Sequence, residues 1–523
     1  MSRPQEKLAA ALSALKNLQD QGRHAISGTD LARADREALR RAGFLQQVIR
    51  GWYLPVRPGD APGGTAAWYA GMREFIAAYS NQRFGAAWHV NPEQSLLLRS
   101  GDRTLPRQLQ IWAVAGTNQT VTLLHGCSLF IYRAPKLLAA SAVADCGGLR
   151  LAETAAALAA AGPAHFQRAP LAVQIALASL PDASDLLRVL LEGDQPAAAA
   201  RLAGALRAGG RNALADEILG AMRGAGYVMT ETNPFDQPLA AVLPAGRPES
   251  PYVQRLRLMW AAMRLPVMAA FPALPKRRIN VVALMREIDA RYVADAYHSL
   301  SIEGYRVSAA LIEKVRQGNW NPSGSPQDRA VQDAMAARGY FEAHNAVKDD
   351  AARILKGENP GAVLRAGLPR WYQALFSPSV QAGLLQPIDL AGYRNDQVYI
   401  RGALHVPLPK EAVRECMPVL FDLLEAEPSP QVRAVLGHFV FVYIHPYMDG
   451  NGRLGRFLMN LMLAAGGAGW VVVPVQRRDE YMQALEQASS FGDIGPFSRF
   501  IAKLARAQLA KPPHASGQAM ELA

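Results

Sequence analysis

Hydrophobic residues recur along most of the chain at the spacing of α-helices. A first helix is indicated near the N-terminus by leucines three or four residues apart, Leu8, Leu12, Leu15 and Leu18. Between residues 434 and 444 apolar side chains cover nearly the whole helix circumference, which predicts a buried helix. Another helix should begin near Arg453, because apolar residues follow it at helical spacing. The pattern therefore predicts a mainly α protein.

Residues 1–62 alternate short helical and extended patterns. After the first helix, Ser27-Gly28-Thr29-Asp30 is typical of the cap of a short second helix. A third helix should run from Arg36 to Ala42 and end at Gly43. Two short strands around Arg50-Gly51 then predict a hairpin. This order of elements indicates a winged helix-turn-helix.

This region resembles the N-terminal domain of AbiEi-type antitoxins, which ends in basic residues, Gly, an aromatic residue, Tyr and Leu. The resemblance implies DNA binding, with Arg36, Arg40 and Arg41 on or beside the recognition helix and Arg50 on the wing. Contacts between arginine and phosphate would supply most of the affinity. Two alternatives stay open: a solvated basic helix in a packing domain, or a wing that binds protein.

Residues 63–235 mix strand patterns, near 110–114 and 121–124, with alanine-rich helices that begin near 169, 186 and 200. They resemble the C-terminal part of AbiEi-like regulators, which implies a mixed α/β middle domain. We expect this domain either to form a homodimer contact or to join the N-terminal region to the rest of the chain. A loop rich in Pro and Gly between 233 and 251 predicts a domain boundary. We assign 236–280 to a linker and the first helices of the next domain.

Composition and charge limit the possible number of domains, the kind of partner and the cellular compartment. A chain of 523 residues is long enough for two to four domains. The net charge of +12 favours contact with nucleic acid or another polyanion. The three cysteines have no metal-ligand spacing and cannot all pair, which favours a reducing, cytoplasmic compartment. No apolar signal core begins the chain, and the weakly polar run 458–475 contains Asn, Gly and Pro, so we expect no membrane segment.

The stretch between the two apolar helices has the most specific chemistry. Residues 445–456 read His-Pro-Tyr-Met-Asp-Gly-Asn-Gly-Arg-Leu-Gly-Arg. Pro446 should end the first helix, and the glycines 450 and 452 allow successive N–H groups to point at one anion. The positive end of the following helix dipole adds to this attraction. We therefore predict a phosphate site at this turn.

The charged side chains of the same stretch indicate group transfer. Asp449 is suited to hold Mg²⁺, which prefers one or two carboxylates together with phosphate oxygens and water. Arg453 and Arg456 lie three residues apart on one helix face and can bind phosphate oxygens. His445 has an ordinary pKa near ~6.5 and could act as a general base. Together they indicate nucleotidyl or phosphoryl transfer.

The stretch resembles the signature of the Fic family, His-Pro-Phe-x-Asp/Glu-Gly-Asn-Gly-Arg-x-x-Arg. Tyr447 replaces the usual Phe, at a position expected to be a core anchor. The resemblance implies an all-helical core over 281–510, followed by a disordered tail, 511–523. It also implies transfer of AMP from ATP to a Ser, Thr or Tyr hydroxyl of a target protein, possibly the chain itself, with release of pyrophosphate.

The same resemblance assigns the roles. His445 would take the proton of the target hydroxyl, and Asp449 would hold Mg²⁺. The phosphates of ATP would be bound by Gly450, Asn451, Gly452, Arg453 and Arg456. Tyr481 matches an aromatic residue that borders the adenine, whereas Met482 replaces a second one.

Upstream, Ser299-Leu-Ser-Ile-Glu303-Gly304 resembles the Fic inhibitory motif, Ser/Thr-x-x-x-Glu-Gly/Asn. Ser299 and Glu303 are four residues apart and share a helix face, which Gly304 would end. The resemblance implies that Glu303 pairs with Arg456 and denies it to the γ-phosphate. A second interpretation lets Glu303 orient a water that removes AMP from a modified protein.

Residues 392–409 resemble the Fic flap, a short hairpin on which a target segment is laid by main-chain hydrogen bonds. The expected docking residues are Val398, Tyr399, Ile400, Arg401, Gly402 and His405. The sequence as a whole predicts an autoinhibited adenylyltransferase coupled to a DNA-binding domain. The alternative is an antitoxin-type regulator whose core senses nucleotide or removes AMP; His445 favours the first, because a sensor needs no general base.

Overall fold

A computed structural model describes residues 4–58, 65–241, 249–271, 280–317 and 328–509. The tail 511–523, expected to be disordered, and parts of the predicted linker 236–280 lie outside the described residues. The described chain is mainly α-helical, as predicted. It divides into two compact units, Met1–Arg255 with Tyr399–Val406, and Leu256–Val398 with Pro407–Ala523. The finer division of the first 235 residues stays a prediction.

The first unit begins with two helices and a small sheet. The elements are α1 (Pro4–Asp20), β1 (Ile26–Ser27), α2 (Arg33–Arg41), β2 (Leu45–Ile49) and β3 (Trp52–Pro55). The strands form an antiparallel sheet in the order β1-β3-β2. The predicted hairpin is confirmed, and Gly51 permits its turn because its φ is +82°. Gly43, with φ +77°, follows α2 as expected.

The short helix predicted after Ser27 is wrong. Ile26 and Ser27 instead pair with Tyr53 and Trp52, so their backbone belongs to the sheet. Asp30, expected to cap that helix, accepts the Ser27 N–H at 2.7 Å across a turn. Because only two helices precede the hairpin, the three-helix order of a winged helix-turn-helix is not reproduced.

The rest of the first unit combines sheets and helices, as the mixed α/β prediction requires. The strands β4 to β7 form a mixed sheet in the order β4-β5-β7-β6, in which β5 and β7 are parallel, and β8 pairs with β9. Their bounds are Trp88–Val90, Gln108–Ala113, Gln119–Thr122, Ser128–Arg133, Val143–Cys146 and Leu149–Ala152. The helices α3 to α10 are Ala66–Phe84, Pro92–Arg99, Thr154–Ala160, Pro163–Arg168, Pro170–Ala178, Ser184–Glu192, Pro196–Ala208 and Asn212–Gly224.

The second unit contains no strand among its described residues. Its helices α11 to α20 are Pro251–Ala270 (most of which belongs here), Val281–Ile302, Ala309–Arg316, Asp328–Leu355, Pro360–Gln381, Lys410–Ala426, Pro430–Ile444, Asn451–Ala465, Arg478–Phe491 and Gly495–Leu509. Among the described helices, none combines the length and apolarity that crossing a bilayer requires.

The helices α17 and α18 lie in the core of this unit. Nearly all their side chains are buried, as the all-round apolar pattern of α17 predicted. Glycines permit close packing here: a Cβ added to Gly437 would lie 2.9 Å from Leu424 and Leu458 side-chain carbons. A Cβ added to Gly455 would lie 3.1 Å from the His438 ring. The buried helices thus fix the two ends of the turn that joins them.

Candidate active site

The turn between α17 and α18 has two residues in left-handed conformations. His445 has φ +56° and Gly450 has φ +84°. The Asn451 amide closes the turn, since its Oδ1 accepts the Tyr447 N–H at 3.0 Å and its Nδ2 donates to the Tyr447 carbonyl at 2.8 Å. The Tyr447 ring is buried and stacks on Tyr372 with centroids 4.0 Å apart. Tyr447 is therefore the core anchor that the sequence predicted.

The Asn451 side chain is held within the turn. We predicted that Asn451 would bind phosphate; both polar atoms of its side chain are bound to the backbone of Tyr447, so phosphate binding stays a prediction for its backbone N–H. Asn451 is also 2% exposed. Asn451 therefore shapes the turn, and the backbone N–H groups at the start of α18 are left to bind an anion.

Arg394 holds the same turn from the other side. Its Nε donates to the His445 carbonyl at 2.8 Å, and its backbone N–H donates to the Pro446 carbonyl at 2.9 Å. Its remaining guanidinium nitrogens donate to the carbonyls of Asp396 and Leu408. Sequence reasoning missed this residue. Nothing in the sequence indicates that Arg394 contacts His445, which lies 51 positions further along the chain.

Replacing Arg394 with Met should destabilise the turn. The change leaves the buried carbonyl of Leu408 and the part-buried carbonyls of His445 and Asp396 without this donor. A buried unpaired carbonyl costs about 1–3 kcal/mol and a part-buried one costs less, so we expect the free energy of unfolding to fall by roughly 2–5 kcal/mol. Urea denaturation measures this. Arg414→Met is the matched control, because Arg414 is exposed and donates only to the Asn395 side chain at 3.1 Å. Equal stability of the two variants would contradict the anchoring role.

The His445 ring has a defined tautomer. Its Nδ1 lies 3.3 Å from the Val442 carbonyl oxygen, which can only accept a hydrogen bond, so Nδ1 carries the proton. Nε2 is therefore left with a lone pair. Burial lowers the pKa of His445 to about 4, against opposing effects of the Val442 carbonyl, Glu303 and Asp449. At neutral pH the ring is uncharged and can accept a proton.

Asp449 and Arg453 form an ion pair at the start of α18. Arg453 donates to Asp449 Oδ2 at 2.9 Å, and the Gly450 N–H donates to Asp449 Oδ1 at 2.6 Å. The Asp449 side chain is 63% exposed, so a cation can reach it. Arg453 is buried between the rings of Tyr305 and Phe376, 5.2 and 5.1 Å from their centroids.

The chemistry of this carboxylate fits the Mg²⁺ that the sequence predicts. No group of three or more His, Cys, Asp or Glu side chains arranged for a metal occurs within the described ranges. A Mg²⁺ ion at Asp449 would therefore take its other ligands from phosphate and water, as this ion commonly does.

Arg456 lies in a buried network with the predicted inhibitory residues. It donates to Glu303 Oε1 at 2.7 Å, to Ser299 Oγ at 2.8 Å and to the Ser299 carbonyl at 3.0 Å. Gly304, with φ +92°, follows the end of α12. Burial lowers the pKa of Arg456, but the Glu303 carboxylate, together with Tyr481 and Tyr340, outweighs this effect, and the net shift is upward. The expected ion pair is therefore present.

The Glu303 carboxylate also lies against the start of α18. A Cβ added to Gly452 would collide with Glu303 Oε1. Gly452 is the second residue of this helix, where free N–H groups and the positive end of the dipole favour an anion. The carboxylate of Glu303 thus lies where the sequence predicts a phosphate.

Tyr481 is buried beside this network. Its hydroxyl is 2.8 Å from His438 Nε2, and its ring packs against Phe497 and Phe500. Burial raises its pKa to about 12. His438 is itself fully buried. The ring of Tyr481 is 2% exposed, so an adenine contact stays a prediction that requires the ring to become accessible.

Sequence reasoning also missed Asp295. This carboxylate, one turn before Ser299 on α12, is 2% exposed. It accepts hydrogen bonds from Tyr340 Oη at 2.8 Å and Trp470 Nε1 at 3.0 Å, and burial raises its pKa to about 6. The only signal in the sequence was its spacing of four from Ser299, which places both on one helix face.

The predicted flap differs from the expected hairpin. Residues 392–409 form no strand pair with each other, so the hairpin is wrong. Within the first unit, the Leu105 N–H donates to the Leu404 carbonyl at 2.9 Å and the Val406 N–H to the Arg103 carbonyl at 3.1 Å, flanking a bridge from Thr104 to His405. These main-chain groups are thus already paired.

The remaining flap residues were predicted to dock a target. Arg401 and Gly402 are exposed; Val398, Tyr399 and Ile400 are half-buried, and His405 is buried. The Gly402 N–H donates to Thr65 Oγ1 at 3.2 Å. His405 thus supports this segment, and the docking role of the others stays a prediction.

The predicted DNA-binding arginines fall into two groups. Arg36 is half-buried, and its guanidinium donates to the carbonyls of Gly28 and Leu31, so it stabilises the fold locally. Arg40, Arg41 and Arg50 are exposed. Arg40 also lies over the Tyr53 ring, 5.9 Å from its centroid. Only the exposed three are available to a duplex.

Comparison with known proteins agrees with this geometry. Residues 370–463, which contain the whole turn, match the Fic/DOC family. The chain contains a Fic domain. The "Protein adenylyltransferase Fic" of Nematostella vectensis is 40% identical over 224 residues, 42% of this chain and 48% of that protein. The protein of the same name from Drosophila mojavensis is 40% identical over 230 residues, 42% of this chain and 41% of that protein.

The chain thus spans less than half the length of the curated relatives it matches. Among solved structures, Fic-1 (aa134 - 508) from C. elegans is similar with a TM-score of 0.37 and 19% sequence identity. That alignment covers 65% of this chain and 91% of the C. elegans chain. The predicted inhibitory residues Ser299 and Glu303 precede residues 370–463, the segment that matches the family.

Proposed function

We propose that the Fic domain transfers AMP from Mg·ATP to a hydroxyl group of a protein. The observation that carries this proposal is the His445 ring at the turn before α18, whose Nδ1 lies 3.3 Å from the Val442 carbonyl oxygen and so assigns the tautomer. Its Nδ1–H is bound to the Val442 carbonyl, and Nε2 is a free acceptor on a neutral ring. The names of the curated relatives, which are adenylyltransferases, support the same activity.

In the proposed reaction the hydroxyl oxygen of the target forms a bond with the α-phosphorus of ATP. The bond from that phosphorus to the bridging oxygen breaks, and pyrophosphate leaves. His445 Nε2 takes the hydroxyl proton. The N–H groups at the start of α18, with Arg453 and Arg456, balance the phosphate charge. Asp449 would hold Mg²⁺, which would neutralise the charge of the leaving pyrophosphate.

We further propose that Glu303 inhibits this transfer. Its carboxylate occupies the anion site at Gly452 and pairs with Arg456, so both are withheld from the terminal phosphates. Ser299 strengthens the block, because it holds the same guanidinium through two hydrogen bonds. Release requires Glu303 to move away from the start of α18.

Intact-mass spectrometry tests the activity. The full chain with the Glu303→Gly change is incubated with ATP and Mg²⁺, alone and with a cell lysate as the source of targets. We expect the addition of one or more AMP groups to protein, together with pyrophosphate in solution. AMP on no protein, in either incubation, would overturn the proposed transfer.

The pH dependence of transfer should reflect the lowered pKa of His445. The neutral ring is the active form, so a pKa of about 4 keeps it active well below the usual range of histidine. We expect kcat/KM to be flat from pH 8 to about 5 and to fall only as pH approaches 4. A decline centred near pH 6.5 would contradict this environment.

A second activity is proposed for the first unit, which is duplex DNA binding. It is favoured by the exposed Arg40, Arg41 and Arg50 and by the net charge of +12. We expect Arg40→Ala with Arg50→Ala to lower DNA affinity and to reduce the slope of log K against log salt by about 2. The control is Arg83→Ala, on the exposed side of α3. Equal salt slopes would remove the proposal.

The alternative is a regulator of antitoxin type whose Fic domain senses nucleotide or removes AMP. Removal of AMP would use Glu303 to orient a water, so that activity should fall in Glu303→Gly while transfer rises. Incubating an AMP-modified protein with each form distinguishes the two. Modification of the chain by itself and formation of a homodimer also stay predictions.

A further inference from the structure

The first unit contains a cavity that no proposed activity uses. Its volume is about 500 Å³, within the usual range of sites for small molecules. Part of its wall is apolar, from Leu98, Leu149 and Ile175. The polar part includes Arg73, Gln254 and Tyr252. A mixed wall of this kind is typical of pockets that bind small organic molecules.

Arg73 is the unusual member of this wall. Its guanidinium forms no hydrogen bond and no ion pair with any residue that the structure describes. Burial lowers its pKa, and the nearby positive charge of Arg103 lowers it further. Arginine remains protonated in proteins, so this charge persists without a neutralising partner.

Arg103 adds to the imbalance. Its Nε is buried and has no hydrogen-bond partner among the described residues. Two guanidinium groups thus lie near each other, and no carboxylate of the described residues is bound to either. Arg99, which also lines the cavity, differs because it pairs with Glu153 at 3.2 Å and donates to the Ala152 carbonyl at 2.6 Å. Both side chains are half-buried, so their charges are partly removed from water, and an anion in the cavity would offset that cost.

Gln254 supplies a second and independent observation. Its side chain is 7% exposed and lines the cavity. Its Nε2 donates to the Glu249 carbonyl at 3.2 Å, which fixes the orientation of the amide. Its Oε1 is buried without a hydrogen-bond partner. A buried acceptor of this kind requires a donor, which a ligand can provide.

We propose that this cavity binds a small organic anion that also carries a hydroxyl or N–H donor. Arg73 holds the anionic group, Gln254 Oε1 accepts the donor, and the leucines contact an apolar body. Carboxylate and phosphate head groups share this chemistry.

Calorimetric titration of the full chain tests the proposal with three probes, phenyl phosphate, benzoate and inorganic phosphate. The titration is done at about pH 5, where phenyl phosphate is mainly the monoanion with one O–H. We expect it to bind more tightly than inorganic phosphate because its ring buries apolar surface. Benzoate reports whether a carboxylate suffices. Saturable binding of none of the three would overturn the proposal.

Two variants test whether phenyl phosphate binds in this cavity. Arg73→Met should weaken phenyl phosphate binding at least about tenfold, whereas the control Arg83→Met, on the exposed side of the same helix, should leave it within about twofold. Without ligand, Arg73→Met should melt at the same or a higher temperature than the original chain, because an uncompensated charge is removed. Equal affinity of the two variants would show that the anion binds elsewhere.

Gln254→Leu provides a second measure, which does not depend on the arginine. The variant leaves the charge of Arg73 in place and has a similar side-chain volume, but it removes the acceptor Oε1. Phenyl phosphate should therefore bind more weakly, whereas the affinity for benzoate, which has no donor, should change least. An equal loss for both probes would contradict the role of Gln254.

Discussion

Replacing Glu303 with glycine should raise AMP transfer by roughly 5–150-fold, the usual range of coupling between a regulatory and a functional site. The change frees Arg456 for the terminal phosphate and empties the anion site at Gly452. The rate of label transfer from ATP to protein measures this. The same variant should be less stable without nucleotide, because Arg456 remains buried beside Ser299 with its charge unpaired.

The comparison for this variant is Glu358→Gly. Glu358 also follows the end of a helix and pairs with an arginine, Arg353, at 2.6 Å, but it is exposed. It should change neither the rate nor the effect of ATP on the melting temperature. Glu303→Gln separates charge from occlusion: it keeps the size but loses the charge, so we expect an intermediate rate. An unchanged rate in Glu303→Gly would remove autoinhibition from the proposal.

Replacing His445 with alanine in the Glu303→Gly background should lower the transfer rate by about 10²–10⁴-fold, as expected for loss of a general base. At neutral pH the His445 ring is uncharged, and its Nε2 has a lone pair that can accept the proton of the target hydroxyl. The measurement is single-turnover transfer at saturating Mg·ATP. ATP binding should persist, because the ring is not needed to bind phosphate.

Two control variants distinguish loss of the general base from a change of fold. His445→Asn keeps a residue that tolerates the left-handed φ of +56° and should be as inactive as alanine. His125→Ala removes an exposed histidine with nearly the same φ, +53°, and reports the effect of the backbone conformation alone on stability. More than about a tenth of the original rate in His445→Asn would exclude His445 as the base.

Local chemistry explains which predictions from sequence were confirmed. The helices on either side of the turn were predictable because the apolar pattern of α17 leaves it no exposed face, and Pro446 cannot continue it. The hairpin at Gly51 was predictable from turn residues alone. The helix after Ser27 failed because cap residues also suit tight turns, and pairing with β3 decided between the two.

The sequence by itself determined the mainly helical fold and the residue types gathered at the turn, since both depend on neighbours a few positions apart. It also supplied Ser299 and Glu303 as a pair on one helix face. Only the tertiary structure decided that Glu303 meets Arg456 across 153 residues, that Arg394 holds the turn, and that the Asn451 amide is committed to Tyr447. The physical reason is that charges and hydrogen bonds act over a few ångströms in space. Sequence spacing fixes such distances within one helix or turn, but not between segments that folding brings together.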